Sequence, residues 1–338
     1  MTIILDAMGS DRYPDPEIEA AITAAEQLGE EIVLVGDINL IQPKLAALNK
    51  RKLPIALEHA PDVVEMEDKA VDGTRKKPNN SMAIGMKLVK SGRGRAFVSA
   101  GNTGAVMFNA LKVLGRIKGV QRPALTQLFP TRTGKCAVLD IGANAECRPE
   151  FLVQFALMGH LYAQKVMKIG SPRVGLISNG EEAGKGNQLT KDTYPLLVHS
   201  GINFIGNIEG KELFGGEADV AVTDGFTGNV MLKSVEAVAK LITDTLKAEL
   251  TASPLTALGG MLAKPAFIKL RKMIAPDEIG AALLLGIVGL VFVGHGRSNA
   301  RAMFSAIRVA KETADTNLLE ELRTGIQQSL AKSEGLIA

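Results

Sequence analysis

The stretch Asp219-Val-Ala-Val-Thr-Asp-Gly-Phe-Thr-Gly-Asn-Val-Met-Leu-Lys-Ser234 decides how the chain is read. Val220 to Thr223 is a short run with strand character. Asp224 to Asn229 is a polar turn. Met231, Val235, Val238, Ile242 and Leu246 then recur at spacings of three and four, which predicts an amphipathic helix. Gly225 and Gly228 let the turn's backbone come close to a ligand. Amides at the helix N-terminus favour an anion through unpaired N–H groups and the macrodipole.

The same construction stands earlier in the chain. Ala96–Ala100 reads as a strand, and Gly101-Asn102-Thr103-Gly104-Ala105-Val106-Met107 opens a helix. Both turns read Gly-x-Thr-Gly-x-Val-Met. The echo points to two helix N-termini facing one small anion. The plain alternative is two ordinary strand-to-helix turns, with threonine as a cap and glycine for close packing.

Strands and helices alternate from the first residues on. Thr2–Leu5, Glu31–Val35 and Ile55–His59 read as strands with helices between them. That alternation predicts a mostly parallel sheet with helices on both faces, ligands lying beyond the carboxyl ends of the strands. Ala124–Phe129, Cys136–Leu139, Arg173–Ile177 and Asn203–Asn207 continue the strand series. Residues 1–338 are expected to form a single α/β catalytic unit.

Composition narrows the function. The 338 residues carry 46% hydrophobic side chains, only 4% aromatics and no Trp, at a net charge of +3. There is no base-stacking platform and no global polyanion footprint, so nucleic acid is not an expected partner. Two cysteines, Cys136 and Cys147, make no disulfide framework. The opening residues enter a strand without a signal-peptide layout, and Ile279–Gly294 is too short and glycine-rich for a membrane span. It reads as a buried strand and helix end. A soluble, cytoplasmic protein is expected.

Ser178 to Asn187 looks like a phosphate loop but is not a Walker A match. Only three residues separate Gly180 from Gly184, and Gly186 replaces the hydroxyl that would hold magnesium. No strand end carries a dinucleotide fingerprint, and the four histidines are scattered. No cofactor and no metal are expected.

Residues 250–276 break the pattern. The segment has no acidic residue and sets Lys264, Lys269, Arg271 and Lys272 among apolar side chains, with Pro254 and Pro265 dividing it into two short helical pieces. Such a basic amphipathic excursion suits an anionic membrane face, an acidic partner or a subunit interface. Arg75, Lys76 and Lys77, in a proline-stopped loop, form a second basic cluster.

Asp6-Ala-Met-Gly-Ser-Asp11, Ser99 to Ala105, Leu139-Asp-Ile-Gly-Ala-Asn144, Asn179 to Asn187, Gly206 to Gly210, Thr223 to Val230 and His295-Gly-Arg-Ser298 together resemble bacterial phosphate acyltransferase. That family transfers acyl groups from acyl-carrier protein to phosphate in phospholipid synthesis. Ser10 stands where the family usually has glycine. The resemblance implies a homodimer with a fold like phosphotransacetylase and the isopropylmalate dehydrogenases. It also implies loose attachment to the inner membrane face. Its partners would be acyl-[acyl-carrier protein], orthophosphate and a downstream membrane glycerol-3-phosphate acyltransferase.

For that reaction a site must hold and partly desolvate phosphate, stabilise an oxyanion and receive a departing thiolate. Asn102, Thr103 and Gly104, with Thr227, Gly228 and Asn229, suit the phosphate cradle and oxyanion donors. Asn144 and Asn187 are further polar groups at strand ends. Lys185 is the chosen cation, the alternative being a solvated loop lysine. Asp224 either orients a neighbour or merely caps. His295 is a candidate acid for the thiol, or a structural histidine. Cys147 as a covalent nucleophile is disfavoured, since no histidine lies near it in sequence. The two basic clusters are expected to dock the acidic carrier protein or the membrane.

Overall fold

The computed structural model describes residues 2–274 and 280–335, the side chains of 271–274 and 330–335 excepted. The strands are β1 (Thr2–Asp6), β2 (Glu31–Gly36), β3 (Ile55–His59), β4 (Ala96–Ser99), β5 (Ala124–Thr131), β6 (Gly134–Leu139), β7 (Val174–Ile177), β8 (Phe204–Ile208), β9 (Val220–Val222), β10 (Ala282–Leu285) and β11 (Leu290–Val293). They form one 11-stranded sheet in the order β3-β2-β1-β4-β11-β10-β5-β6-β9-β7-β8. Seven pairings are parallel. The three antiparallel ones join β11 to β10, β10 to β5 and β5 to β6.

Those three pairings have a consequence for the site. Three reversals in the middle of the sheet turn the second half around, so β9 and β7 run opposite to β4 and β1. Along each strand alternate residues enter different cores. Ile3 and Leu5 pack on one face and Ile4 on the other. Both faces are covered, as the near-continuous apolar strands require.

The helices that matter for the site are α3 (Ala70–Lys76), α5 (Thr103–Val113), α7 (Gln188–Val198), α9 (Gly225–Thr251) and α10 (Pro254–Ile274). The remaining helices are α1 (Asp15–Leu28), α2 (Ile38–Leu48), α4 (Ser81–Lys90), α6 (Pro149–Lys165), α8 (Gly210–Gly215), α11 (Ala300–Ala314) and α12 (Leu318–Gly335). None of the described helices is long and apolar enough to cross a membrane.

Three local expectations change. The apolar run to Gly294 is not a strand and a helix end but the β10–β11 hairpin, turned at Gly286 with φ +92°; Ile279 lies outside the described residues. Arg75 and Lys76 stand in the last turn of α3 rather than in a loop. Pro265 does not divide the basic segment, since α10 runs through it. A proline removes one intrahelical bond, and packing of α10 along α9 keeps the segment helical despite that loss. Residues 275 and 276 of the excursion lie outside the described residues.

The stripe that revealed α9 is only partly buried. Met231 and Val235 pack against the body, whereas Val238 and Ile242 are 53% and 52% exposed. On α10, Leu255 and Leu262 are 79% and 78% exposed. Periodicity reports an apolar face; it does not say what covers it.

Candidate active site

At the first elbow, β4 ends at Ser99 and Asn102 caps α5. Asn102 Oδ1 accepts from the Ala105 amide at 3.1 Å, while its Nδ2 donates to the carbonyls of Met66 (3.0 Å) and Asp68 (3.2 Å). The Asn102 side chain is therefore committed to the fold. Among the described residues, the amides of Thr103 and Gly104 have no hydrogen-bond partner, as expected of a first helical turn. A side chain at Gly104 would put its Cβ 2.9 Å from that of Ala70, so glycine is what lets α3 close over this turn.

The second elbow has the same sequence pattern and different bonding. Asp224 caps α9, taking the Thr227 amide on Oδ1 at 2.9 Å and the Thr227 hydroxyl on Oδ2 at 2.7 Å. The Gly225 amide donates to the Asn144 carbonyl at 2.8 Å and the Gly228 amide to the Asp224 carbonyl at 3.0 Å. A Cβ on Gly228 would lie 1.9 Å from the Asp140 carbonyl oxygen. At the second helix the Gly225, Thr227 and Gly228 amides are thus bonded within the protein, Asp224 Oδ1 itself taking that of Thr227, and among the described residues the Phe226 amide alone of that turn has no partner, so the two N-termini are not equivalent.

Asp140 holds the turn beneath it. Its buried carboxylate accepts from the amides of Leu125, Gly142, Ala143 and Asn144 and from Asn144 Nδ2, at 2.7–3.1 Å. Burial pushes that carboxyl up and the N–H donors pull it back. Asn144 Nδ2 also donates to the Pro123 carbonyl at 2.7 Å. Both Asn144 amide hydrogens are in use, so its role is to support the second elbow. Asn229 differs. It is exposed, a Cβ added at Gly142 would lie 3.7 Å from its Cβ, and its side chain has no hydrogen bond among the described residues.

The elbows leave strands of opposite direction, and the start of α9 spans the interval. Lys233 stands eight residues beyond Gly225, about 12 Å along the helix. Its ammonium lies 3.2 Å from His295 Nε2. His295 follows β11, whose neighbour is β4: the Gly294 amide donates to the Ser99 carbonyl at 2.7 Å, and the Asp11 amide to the Gly296 carbonyl at 2.8 Å. Asn229 and Lys233, four apart, share one helix face. A line of polar groups thus runs from Asn229 through Lys233 and His295 towards the first elbow.

His295 is held below its ordinary titration range by burial and then by the Lys233 charge. It is neutral at pH 7, a poor state for an acid. Lys233 was missed in sequence; its only signal was the i, i+4 spacing from Asn229.

Lys185 stands in the loop after β7, at the same sheet edge as the second elbow, since Leu176 pairs with Val222. It is exposed, with no side-chain partner among the described residues. The loop is shaped by the Gly186 amide on Asn179 Oδ1 and by Asn207 Nδ2 on the Glu182 carbonyl, both 2.9 Å. Asn187 caps α7 through the Thr190 amide at 2.9 Å. Among the described residues no contact brings Lys185 or Asn187 onto either elbow.

Glu181, Glu209 and Glu212 gather at metal-like distances. They surround Lys211, whose ammonium lies 2.6, 3.6 and 3.3 Å from them and already balances their charge. Cys147 touches the Asn144 carbonyl at 3.6 Å, and burial pushes its thiol up to about 11.

Of the basic clusters, Arg75 lies over the Phe108 ring, Lys77 pairs with Asp68 at 2.5 Å, and Lys76 is exposed beside the first elbow. Lys264 and Lys269 are exposed on α10. Arg271 and Lys272 continue that helix; their side chains lie outside the described residues.

Residues 1–321 match the family model described as Fatty acid synthesis protein. The phosphate acyltransferase of Elusimicrobium minutum is 48% identical over 329 residues, covering 97% of this chain and 96% of that one. The phosphate acyltransferase of Acidobacterium capsulatum is 45% identical, covering 95% of each. Among solved structures, a phosphotransacetylase from Streptococcus pyogenes superimposes with a TM-score of 0.63 at 14% identity, covering 93% of this chain and 94% of that one. A 4-hydroxythreonine-4-phosphate dehydrogenase from Klebsiella pneumoniae gives 0.54 at 14% identity, covering 93% and 99%. The expected kinship with phosphotransacetylase and dehydrogenase folds holds. This chain belongs to the phosphate acyltransferase family of fatty acid and phospholipid synthesis, and it is an acyltransferase.

Proposed function

We propose that the protein moves a fatty acyl group from acyl-[acyl-carrier protein] to inorganic phosphate, releasing free carrier protein and an acyl phosphate. The observation that carries this is the first elbow: two unsatisfied amides, Thr103 and Gly104, open a helix beside the Lys233–His295 pair. Phosphate on those amides is partly desolvated and aimed, and needs no strong base because it is already a nucleophile.

Its oxygen attacks the thioester carbonyl. Asn229, whose side-chain amide has no hydrogen bond among the described residues, steadies the oxyanion in this reading. The carbon–sulfur bond then breaks, and the thiolate leaves towards Lys233, the nearest cation on that line. Lys185 and Asn187 follow β7 at the sheet edge of the second elbow, and Asp224, Thr227, Gly228 and Asn144 hold that elbow in shape.

The carrier protein is acidic and docks on the basic groups, Lys264, Lys269, Arg271 and Lys272 first and Arg75, Lys76 and Lys77 second. The exposed apolar face of α9 and α10 serves a homodimer and contact with an anionic membrane at the cytoplasmic side, near the membrane acyltransferase that consumes the product.

The test is phosphate-dependent release of free thiol from acyl-carrier protein, run beside acyl-coenzyme A. Turnover with the carrier-bound donor supports the proposal. Turnover with coenzyme A alone assigns the protein to phosphotransacetylase chemistry. Intact turnover in Lys233→Met and Asn229→Ala would remove this site from the reaction.

A further inference from the structure

Beneath the first elbow lies a carboxylate with no solvent contact. Asp6, the last residue of β1, is 0% exposed. Its Oδ1 accepts from the Met8 amide at 3.0 Å, and its Oδ2 accepts from the Ser99 hydroxyl at 2.7 Å. The same Ser99 oxygen accepts from the Gly101 amide at 3.0 Å. Asp6, Ser99 and Gly101 therefore form a chain of hydrogen bonds leading from the end of β1 into the turn that opens α5. Gly9 closes the arrangement from above, since a Cβ there would lie 2.7 Å from the Gly101 nitrogen and 3.1 Å from Asp6 Oδ2.

We infer that Asp6 is a positioning residue for acyl transfer: acting through Ser99 it fixes Gly101, and with it the direction in which the Thr103 and Gly104 amides point. This rests on the proposal that phosphate binds those amides.

A buried carboxylate is costly, and an uncharged side chain would hold a strand end more cheaply. What a carboxylate offers is acceptors alone. Oδ2 compels the Ser99 hydroxyl to donate downward, leaving its lone pairs to take the Gly101 N–H. An asparagine in this place would present an NH2 group to one of these partners. Facing Ser99, it would donate to the hydroxyl oxygen, free that hydroxyl's hydrogen and draw the oxygen off the line of the Gly101 N–H, loosening the bond two residues before the free amides. Ser81 reaches the same carboxyl, and Glu17 faces it across the first turn, holding the Ser10 amide at 3.1 Å. These neighbours are buried too, so the direction of the hydrogen bonds is set by geometry and not by water.

The relay makes a prediction that simple stabilisation does not. Misaiming the amides weakens phosphate and leaves the thioester donor alone. With the full chain and acyl-carrier protein as donor, Asp6→Asn and Ser99→Ala should each raise the KM for phosphate on the order of 10-fold, the KM for the donor staying within about 2-fold. Ser99→Thr keeps the hydroxyl and should stay near wild type. The double variant should be no worse than the poorer single, because both break one chain.

Folded Asp6→Asn and Ser99→Ala proteins with unchanged phosphate KM would overturn the inference. So would a loss of rate that follows the folded fraction with both KM values unchanged, the mark of a purely structural residue. Should Asp6→Asn fail to fold, the contrast of Ser99→Ala with Ser99→Thr decides alone. A wild-type protein without phosphate-dependent turnover overturns the proposed function itself, which the same assay reveals first.

Discussion

The ammonium of Lys233 lies 3.2 Å from Nε2 of His295, joining the third turn of α9 to the end of β11. This contact ties together two parts of the sheet that run in opposite directions. It also sets a charge state. Glu236 and Asp11 favour the imidazolium, but burial, Lys233 and Arg297 act against it and prevail. In an NMR titration His295 should lose its proton below the ordinary value of 6.5, and Lys233→Met should move that midpoint upwards. An unmoved midpoint in the variant would show that Lys233 does not act on the ring.

Glu17 makes stability depend on pH. Its carboxyl is fully buried, and burial pushes it up to about 7 from 4.5. Between these values the unfolded chain has released a proton that the folded chain keeps. The folded state therefore binds more protons, and stability falls as pH rises through this window. The full effect is on the order of 3 kcal/mol. Urea melts at pH 4.5, 6 and 8 should show wild type losing stability relative to Glu17→Gln as pH rises. Parallel curves for the two proteins would contradict this.

Cys147 sits against the second elbow, close enough to invite a covalent route. With its thiol pushed up to about 11, almost none of it is thiolate at neutral pH. Cys147→Ser should keep turnover within about 3-fold, and iodoacetamide should label the wild-type residue slowly at pH 7. A burst of carrier-protein release without phosphate, abolished in Cys147→Ser, would reverse this reading.

The basic face of α10 is expected to meet an acidic donor. Reversing Lys269, Arg271 and Lys272 together should raise the KM for acyl-carrier protein by about 10-fold or more at low salt, with a smaller effect as salt increases. Phosphate KM should not change. If donor KM stays flat while vesicle binding drops, the face serves lipid.

The sequence by itself determined the alternation of strands and helices, because apolar period and glycine-bearing turns are local properties of the chain. It also marked the strand-end turns where polar residues collect. It read the two elbows as equivalent, since Gly-x-Thr-Gly-x-Val-Met is the same text in both. Only the tertiary structure separated them. In the second copy Asp224 takes the Thr227 amide and the distant Asn144 carbonyl takes that of Gly225, while the first copy keeps Thr103 and Gly104 open. The direction of β9 relative to β4 was likewise invisible, because it depends on three antiparallel pairings between residues far apart in the chain. Lys233 meeting His295, and Ser99 linking Asp6 to Gly101, have the same origin. Each joins segments whose approach is decided by sheet order, and no local pattern encodes that.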